Sequence, residues 1–221
     1  MKRTIIIGDV HGCSRELKDL LRATGAGPDD RLISVGDLIN KGPDSRGVME
    51  WAMGARNLEC VVGNHELRFV NSWRRGMVPA ARPHDAETWR QLGDLREAAM
   101  RFCSSLPLTI DGGSFLVVHA GFDPRKRLAQ QTVAALTDIR RLRDTDEPWY
   151  EPYVGKQLVV YGHWAKPEPV VRPNSVGLDT GCVYGGALTA LILPERRLVS
   201  VPARKVYRAK DGFGAALLEA A

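Results

Sequence analysis

The chain has 221 residues, enough for a large core, and its 44% hydrophobic and 26% charged residues are ordinary for a globular protein. No stretch approaches a membrane span, and the apolar run after Lys2-Arg3 is too short for a secretion signal. The formal charge of +5 suits an anionic substrate, while four scattered cysteines without a Cys-x-x-Cys pair argue against a disulfide framework or zinc ribbon and for a reducing, cytoplasmic setting.

Residues 4–7 read as a buried strand. A helix follows, with Ser14 as its expected cap, Leu17, Leu20 and Leu21 on one face, and Gly25 at its end. Residues 31–35 are the second strand, and Asp44 or Ser45 starts a helix that turns Val48, Met49, Ala52 and Met53 inward. Residues 58–62 are the third strand, so the order is βαβαβ and the sheet is parallel. Residues 66–107 read as a helical insertion: one helix leaves Glu66, Pro79 and Pro83 interrupt the chain, and a second helix spans 87–102. Asp111-Gly112-Gly113 marks a hairpin between 108–110 and 115–118. Residues 132–143 are expected to be helical and 149–155 a loop. The remaining strands, 158–161, 175–178, 187–193 and 197–201, suggest a second, more antiparallel sheet, and the residues after Tyr207 are expected to fray. With no linker or internal repeat, the chain reads as a single domain over 1–221.

Chemistry collects where these strands end. Asp9 and His11 follow the first strand and Asp37 the second, Asn64, His65 and Glu66 the third, and His119 and His163 two later ones. Open α/β sheets place their sites at this carboxyl edge. Asp9 and His11, two apart at a strand end, can bind one ion from the same side, and Asp37 can bridge two ions with its two oxygens. A set of carboxylates, imidazoles and one amide oxygen without thiolate suits Mn²⁺, Fe or Zn²⁺ in a reactive site better than a structural zinc. Any one of these motifs alone could be a turn; all of them in register after five strands point to one metal cluster. The basic pairs, such as Arg74-Arg75 and the run from Arg204 to Lys210, read first as solvated surface. Trp149, Tyr150, Trp164 and Tyr184 are core or loop packing unless one of them stacks on a nucleobase, and His84 has no assigned role.

The motifs Gly8-Asp9-Val10-His11-Gly12, Gly36-Asp37, Gly63-Asn64-His65-Glu66, His119 and Gly162-His163 resemble the calcineurin-like metallophosphoesterases of the phosphoprotein-phosphatase branch. Lys41–Ser45, Gly162–Ala165 and Leu178–Gly186 are further similar to symmetrical diadenosine tetraphosphatases and ApaH-like phosphatases. The resemblance implies an α/β fold, a four-layer αββα sandwich of two mixed sheets with two divalent ions (Mn, or else Fe, Zn or Co) at the strand ends. It places Asp9, His11 and Asp37 on one ion and Asp37, Asn64, His119 and His163 on the other. His65 becomes the general acid, and Lys41, Arg68 and Arg140 hold phosphate. The implied reaction is attack by a metal-bridged hydroxide on a phosphoanhydride, cutting diadenosine tetraphosphate to ADP.

Two departures bear on the substrate. Asn40 stands where protein phosphatases carry an Asp that orients the catalytic histidine, though its amide can still accept a bond from His65. Lys41 stands where Arg is usual, a point charge in place of a fork. The rival readings are a protein Ser/Thr phosphatase, a polyphosphatase, an RNA cap hydrolase, and, from another class, a basic nucleic-acid-binding protein without turnover. The expected partner is a small nucleotide, with phosphoprotein, polyphosphate and capped RNA as alternatives and neither membrane nor obligate protein partner.

Overall fold

The computed structural model describes residues 3–213. Three parallel strands, β1 (Thr4–Ile7), β2 (Arg31–Ser34) and β3 (Leu58–Cys60), alternate with helices α1 (Ser14–Thr24) and α2 (Ser45–Gly54). Three helices follow: α3 (Asn64–Arg74), α4 (Pro83–Leu92) and α5 (Arg96–Ser105). Strands β4 (Thr109–Asp111) and β5 (Phe115–Val118) form the expected hairpin, and the short α6 (Val133–Asp138) precedes β6 (Leu158–Tyr161), β7 (Val170–Arg172), β8 (Ser175–Gly177), β9 (Ala187–Leu193) and β10 (Arg197–Pro202). The strands make two mixed five-stranded sheets, ordered β10-β9-β1-β2-β3 and β4-β5-β6-β8-β7.

Period-two alternation distributes the side chains among the layers. Ile5 and Ile7 of β1 face a core shared with α1, α2, α3 and α5, whereas Ile6 joins the core between the sheets with Ile33, Val117, Val160 and Leu191. Leu116, Val118, Val159 and Tyr161 look outward from the second sheet and are covered by Leu136, Leu142, Trp149 and Tyr150. Both faces of each central strand are therefore apolar, which is why the strands read as continuous aliphatic runs.

Several local expectations change. Cys13, not Ser14, precedes the first turn of α1 as its cap, and the Ser14 hydroxyl instead donates to Asp44 Oδ2 at 2.6 Å. The helix expected over 87–102 is two helices, divided at Gly93, whose φ of 54° belongs to the left-handed region. The helix expected over 132–143 stops at Asp138, and beyond it the chain runs extended, Arg141 bridging to Pro148. The last strands do not form one antiparallel sheet: β9 and β10 complete the first sheet, while β6 runs parallel to both β5 and β8 in the second. The segment after Tyr207 is held rather than frayed as far as it is described, with Arg208 N donating to Val183 O at 2.9 Å. Among the described residues no helix is long and apolar enough to cross a membrane.

Candidate active site

The loops after the parallel strands are tied to one another before any side chain is considered. His11 N donates to Asp37 O at 2.8 Å, Gly12 N to Leu38 O at 2.8 Å, and Gly162 N to His119 O at 2.8 Å. The Glu66 carboxylate, fully buried in the first turn of α3, accepts from Asp37 N at 2.8 Å, Ile39 N at 3.1 Å and Gly63 N at 3.0 Å. One carboxylate thus clamps the loop after β2 to the loop after β3. The tight turns force backbone conformations unusual for side-chain-bearing residues: φ is positive at His11 (47°), Asp37 (51°), Asn40 (80°), Lys41 (67°) and His163 (67°).

Asp37 sits at the centre. His11 Nε2 is 3.5 Å from its Oδ2, His119 Nε2 is 3.5 Å from its Oδ1, and His65 Nε2 is 3.9 Å from Oδ2. Two buried triads result, His11-Asp37-His65 and Asp37-His119-His163, each with ligand atoms within 4.8 Å of one another and both sharing Asp37. Asp9 stands alongside, its oxygens accepting from His163 N at 3.0 and 3.2 Å. Asn64 contributes Oδ1, 3.1 Å from His119 Nε2.

Four observations test whether this set fits metal ions. His11 Nδ1 donates to Ile39 O at 3.2 Å and His119 Nδ1 to Val35 O at 2.7 Å, so both turn an Nε2 lone pair inward, oriented by a carbonyl behind the ring. His119 Nε2 and Asn64 Oδ1 then face each other as two acceptors, an arrangement that a cation between them satisfies. His163 Nε2 is buried without a hydrogen-bond partner, although Asp138 Oδ1 lies 3.3 Å away. The Lys41 ammonium donates to His11 Nε2 at 2.9 Å, so positive charge already gathers at the expected ligand atom. The residues fit a dinuclear divalent site.

Protonation states agree. Burial, with Lys41 adding to it, lowers His11 to about 3, and burial lowers His119 to about 4, leaving both imidazoles free of the proton that would block a metal. Burial also pushes the Asp9 carboxyl well up, with the charges of Asp179 and Asp37 behind it; such crowding of carboxylates is what a divalent cation relieves. At Asp37 burial acts upward too, but the surrounding histidines and Lys41 outweigh it and hold the carboxyl below its ordinary range.

A cavity of about 550 Å³ opens over Asp37, Asn64, His65 and His163. Lys41 and Arg140 line it as expected, and the structure adds Arg82, Arg208 and Lys210 as cations and Asp138 and Asp179 as acids. His84, to which the sequence reading gave no role, is in the same wall. Arg68 is placed differently: its Nε and Nη2 bond Asp85 at 3.2 and 2.9 Å, and Nη2 also lies 3.1 Å from His65 Nδ1. The expected bond from His65 to Asn40 is not formed, because Asn40 turns its amide to Asp85 Oδ1 at 2.7 Å and its own Oδ1 has no partner. Of the candidate stacking aromatics only Tyr184 lines the cavity; Trp149 and Tyr150 are core. Asp179 was findable, since it ends β8 by the same strand-end rule, whereas Asp85, Arg208 and Lys210 carry no local signal.

The sequence model for the calcineurin-like phosphoesterases matches residues 2–184. The asymmetrical bis(5'-nucleosyl)-tetraphosphatase PrpE of Geobacillus sp. (strain WCH70) is 31% identical over 232 residues, covering 91% of this chain and 95% of that protein. The symmetrical bis(5'-nucleosyl)-tetraphosphatase of Janthinobacterium sp. (strain Marseille) is 29% identical over 266 residues, with 90% and 95% covered. A solved structure provisionally named a diadenosine tetraphosphatase superposes with a TM-score of 0.78 at 31% identity, covering 96% of this chain and 95% of that one. Matched over residues 2–184 and 31% identical to a curated relative along most of both chains, the chain belongs to the calcineurin-like phosphoesterases and is a metal-dependent hydrolase.

Proposed function

We propose that the protein hydrolyses a phosphoanhydride bond of dinucleoside polyphosphates, cutting diadenosine tetraphosphate symmetrically to ADP. The observation that carries this reading is the charge of the cavity over the metal cluster. Five cationic side chains, Lys41, Arg82, Arg140, Arg208 and Lys210, face three carboxylates, Asp37, Asp138 and Asp179. The Arg208 guanidinium pairs with Glu87 through Nη2, while its Nε is buried without an acceptor and is left open for an anion. Two bound divalent ions would make the balance more positive still. Such a field matches a chain of several phosphates better than a single phosphoserine. The names of the relatives support the same substrate class.

The ligand division we infer puts Asp9, His11 and Asp37 on one ion and Asp37, Asn64, His119 and His163 on the other, with Mn²⁺ as the expected metal. Bound there, the ions supply charge stabilisation and lower the pKa of water from about 15.7 to roughly 7. The chain's own residues do the rest. Lys41 and Arg140 neutralise phosphoryl oxygens as charge builds. His65, with Nε2 toward the Asp37 cluster, donates to the departing oxygen, which in an anhydride is already a stable phosphate anion. Tyr184 lines the cavity with the Lys41 and Lys210 ammoniums over its ring at 5.3 and 4.6 Å, and so holds two of the phosphate-facing cations in place. A cytoplasmic setting is supported by four buried, unpaired cysteines.

Asymmetrical cleavage to AMP and ATP is the second reading, favoured by the PrpE relative. Chromatography of the products from diadenosine tetraphosphate, polyphosphate, capped RNA and a phosphopeptide separates these. ADP alone is the expected product. AMP with ATP establishes the second reading, and a phosphopeptide as the best substrate overturns the proposal.

A further inference from the structure

Asp85, three residues into the region of α4, is fully buried, far in sequence from every strand-end motif, and saturated with donors. Its Oδ1 accepts from Asn40 Nδ2 at 2.7 Å and Arg68 Nη2 at 2.9 Å; its Oδ2 accepts from Arg68 Nε at 3.2 Å and Arg82 N at 3.1 Å. The same Arg68 Nη2 lies 3.1 Å from His65 Nδ1. A guanidinium is a donor only, so in this contact His65 Nδ1 accepts and the ring proton resides on Nε2. Nε2 is the nitrogen on the Asp37 side, 3.9 Å from Oδ2.

We propose that Asp85 and Arg68 are positioning residues for His65, a relay supplied by the helical insertion in place of the carboxylate absent at Asn40. Asp85 fixes the guanidinium through two of its nitrogens. The guanidinium fixes the imidazole as the Nε2–H tautomer and aims that N–H at the cluster. Asn40 serves the relay from the other side, holding Asp85 rather than touching His65. A carboxylate on Nδ1 would draw a full proton onto the ring and suit a basic alkoxide. A guanidinium on Nδ1 leaves a hydrogen-bond donor, enough for a departing phosphate and poor for an alkoxide. This refines the anhydride reading and rests on it for substrate, though not for the tautomer.

The test uses Arg68→Met, which keeps the aliphatic stem, Arg68→Lys, and Asp85→Asn. Long-range ¹H–¹⁵N correlation on the metal-free protein reports which His65 nitrogen carries the proton, with no need for turnover. Wild type is expected to show a single Nε2–H tautomer and Arg68→Met a mixture. On diadenosine tetraphosphate, kcat should fall about 10- to 100-fold in Arg68→Met and Asp85→Asn with KM nearly unchanged, and Arg68→Lys should recover part of it. An unchanged tautomer in Arg68→Met overturns the relay, even if Tm falls, since that pattern marks a merely structural ion pair. A KM that rises as far as kcat falls also overturns it and returns Arg68 to phosphate contact. Should the wild type fail to cleave any anhydride, the tautomer measurement still decides the relay separately from the substrate.

Discussion

Gly162, immediately before His163, gives a one-methyl test of the site. A Cβ there would stand 1.9 Å from Asp9 Oδ1 and 2.6 Å from Val35 Cγ2. Ordinary contact begins at 3.4 Å, so the Asp9 carboxylate would have to retreat by about 1.5 Å. It cannot do so and keep the bonds it accepts from His163 N at 3.0 and 3.2 Å. Active-site geometry tolerates roughly 0.5 Å of error, and misplacement by 1 Å can cost about 10²-fold in rate. Gly162→Ala should therefore lower kcat/KM on diadenosine tetraphosphate by about 10²-fold. It should also weaken one of two Mn²⁺ sites by calorimetric titration. Overpacking should cost about 1–3 kcal/mol of stability, a Tm loss of roughly 2–12 °C for a chain this size. Asp9→Asn, which keeps the volume and removes the charge, should reproduce the metal defect with little loss of Tm. Two sites of wild-type affinity in Gly162→Ala, with kcat/KM within about threefold, would refute the argument that Asp9 must stand where it does to ligate.

Three further outcomes follow from the same geometry. Chelation by EDTA should abolish turnover and Mn²⁺ restore it, and Asp37→Ala should lose both ions by elemental analysis; full activity in metal-free buffer would remove the dinuclear reading. His65→Asn should retain two metals but lose about 10²–10⁴ in kcat on substrates with poor leaving groups, and less on nitrophenyl phosphate; equal losses would take away its role as acid. Arg208→Ala and Lys210→Ala should each raise KM for diadenosine tetraphosphate about tenfold, roughly 1.4 kcal/mol, and leave KM for nitrophenyl phosphate nearly unchanged. A uniform effect on both substrates would mean that the C-terminal segment acts on the fold and not on the phosphate chain.

The strand-end motifs were legible because each is a local event: an aliphatic run, then Asp, Asn or His, in all but His119 with a glycine directly before it. Five such events, at Asp9, Asp37, Asn64, His119 and His163, need no knowledge of pairing. The allocation of β9 and β10 to the first sheet was not legible, since period-two alternation tells which face is buried but not which neighbour a strand chooses. The break at Gly93 was hidden inside an apolar pattern that continues across it at helical spacing, and α6 ends at Asp138, where Ile139 turns extended ahead of Arg140. Asp85 could not be found at all: its meaning lies in Arg68 and Asn40, which reach it across 17 and 45 residues. The run from Arg204 to Lys210 looked like solvated surface because charge alone does not reveal that Val183 ties Tyr207 and Arg208 down.

The left-handed backbone at His11, Asp37, Asn40, Lys41 and His163 has a consequence for anyone who would engineer this enzyme. Glycine adopts that conformation freely and Asp or Asn at reduced cost, whereas a residue such as Lys41 there costs about 1–2 kcal/mol. The fold therefore spends part of its stability to present these particular side chains. Substitutions such as Lys41→Gly relax the main chain while deleting chemistry, so a library sorted for heat resistance will enrich inactive molecules at these codons. Thermal selection on this scaffold has to be coupled to turnover, or it will erase the catalytic edge one glycine at a time.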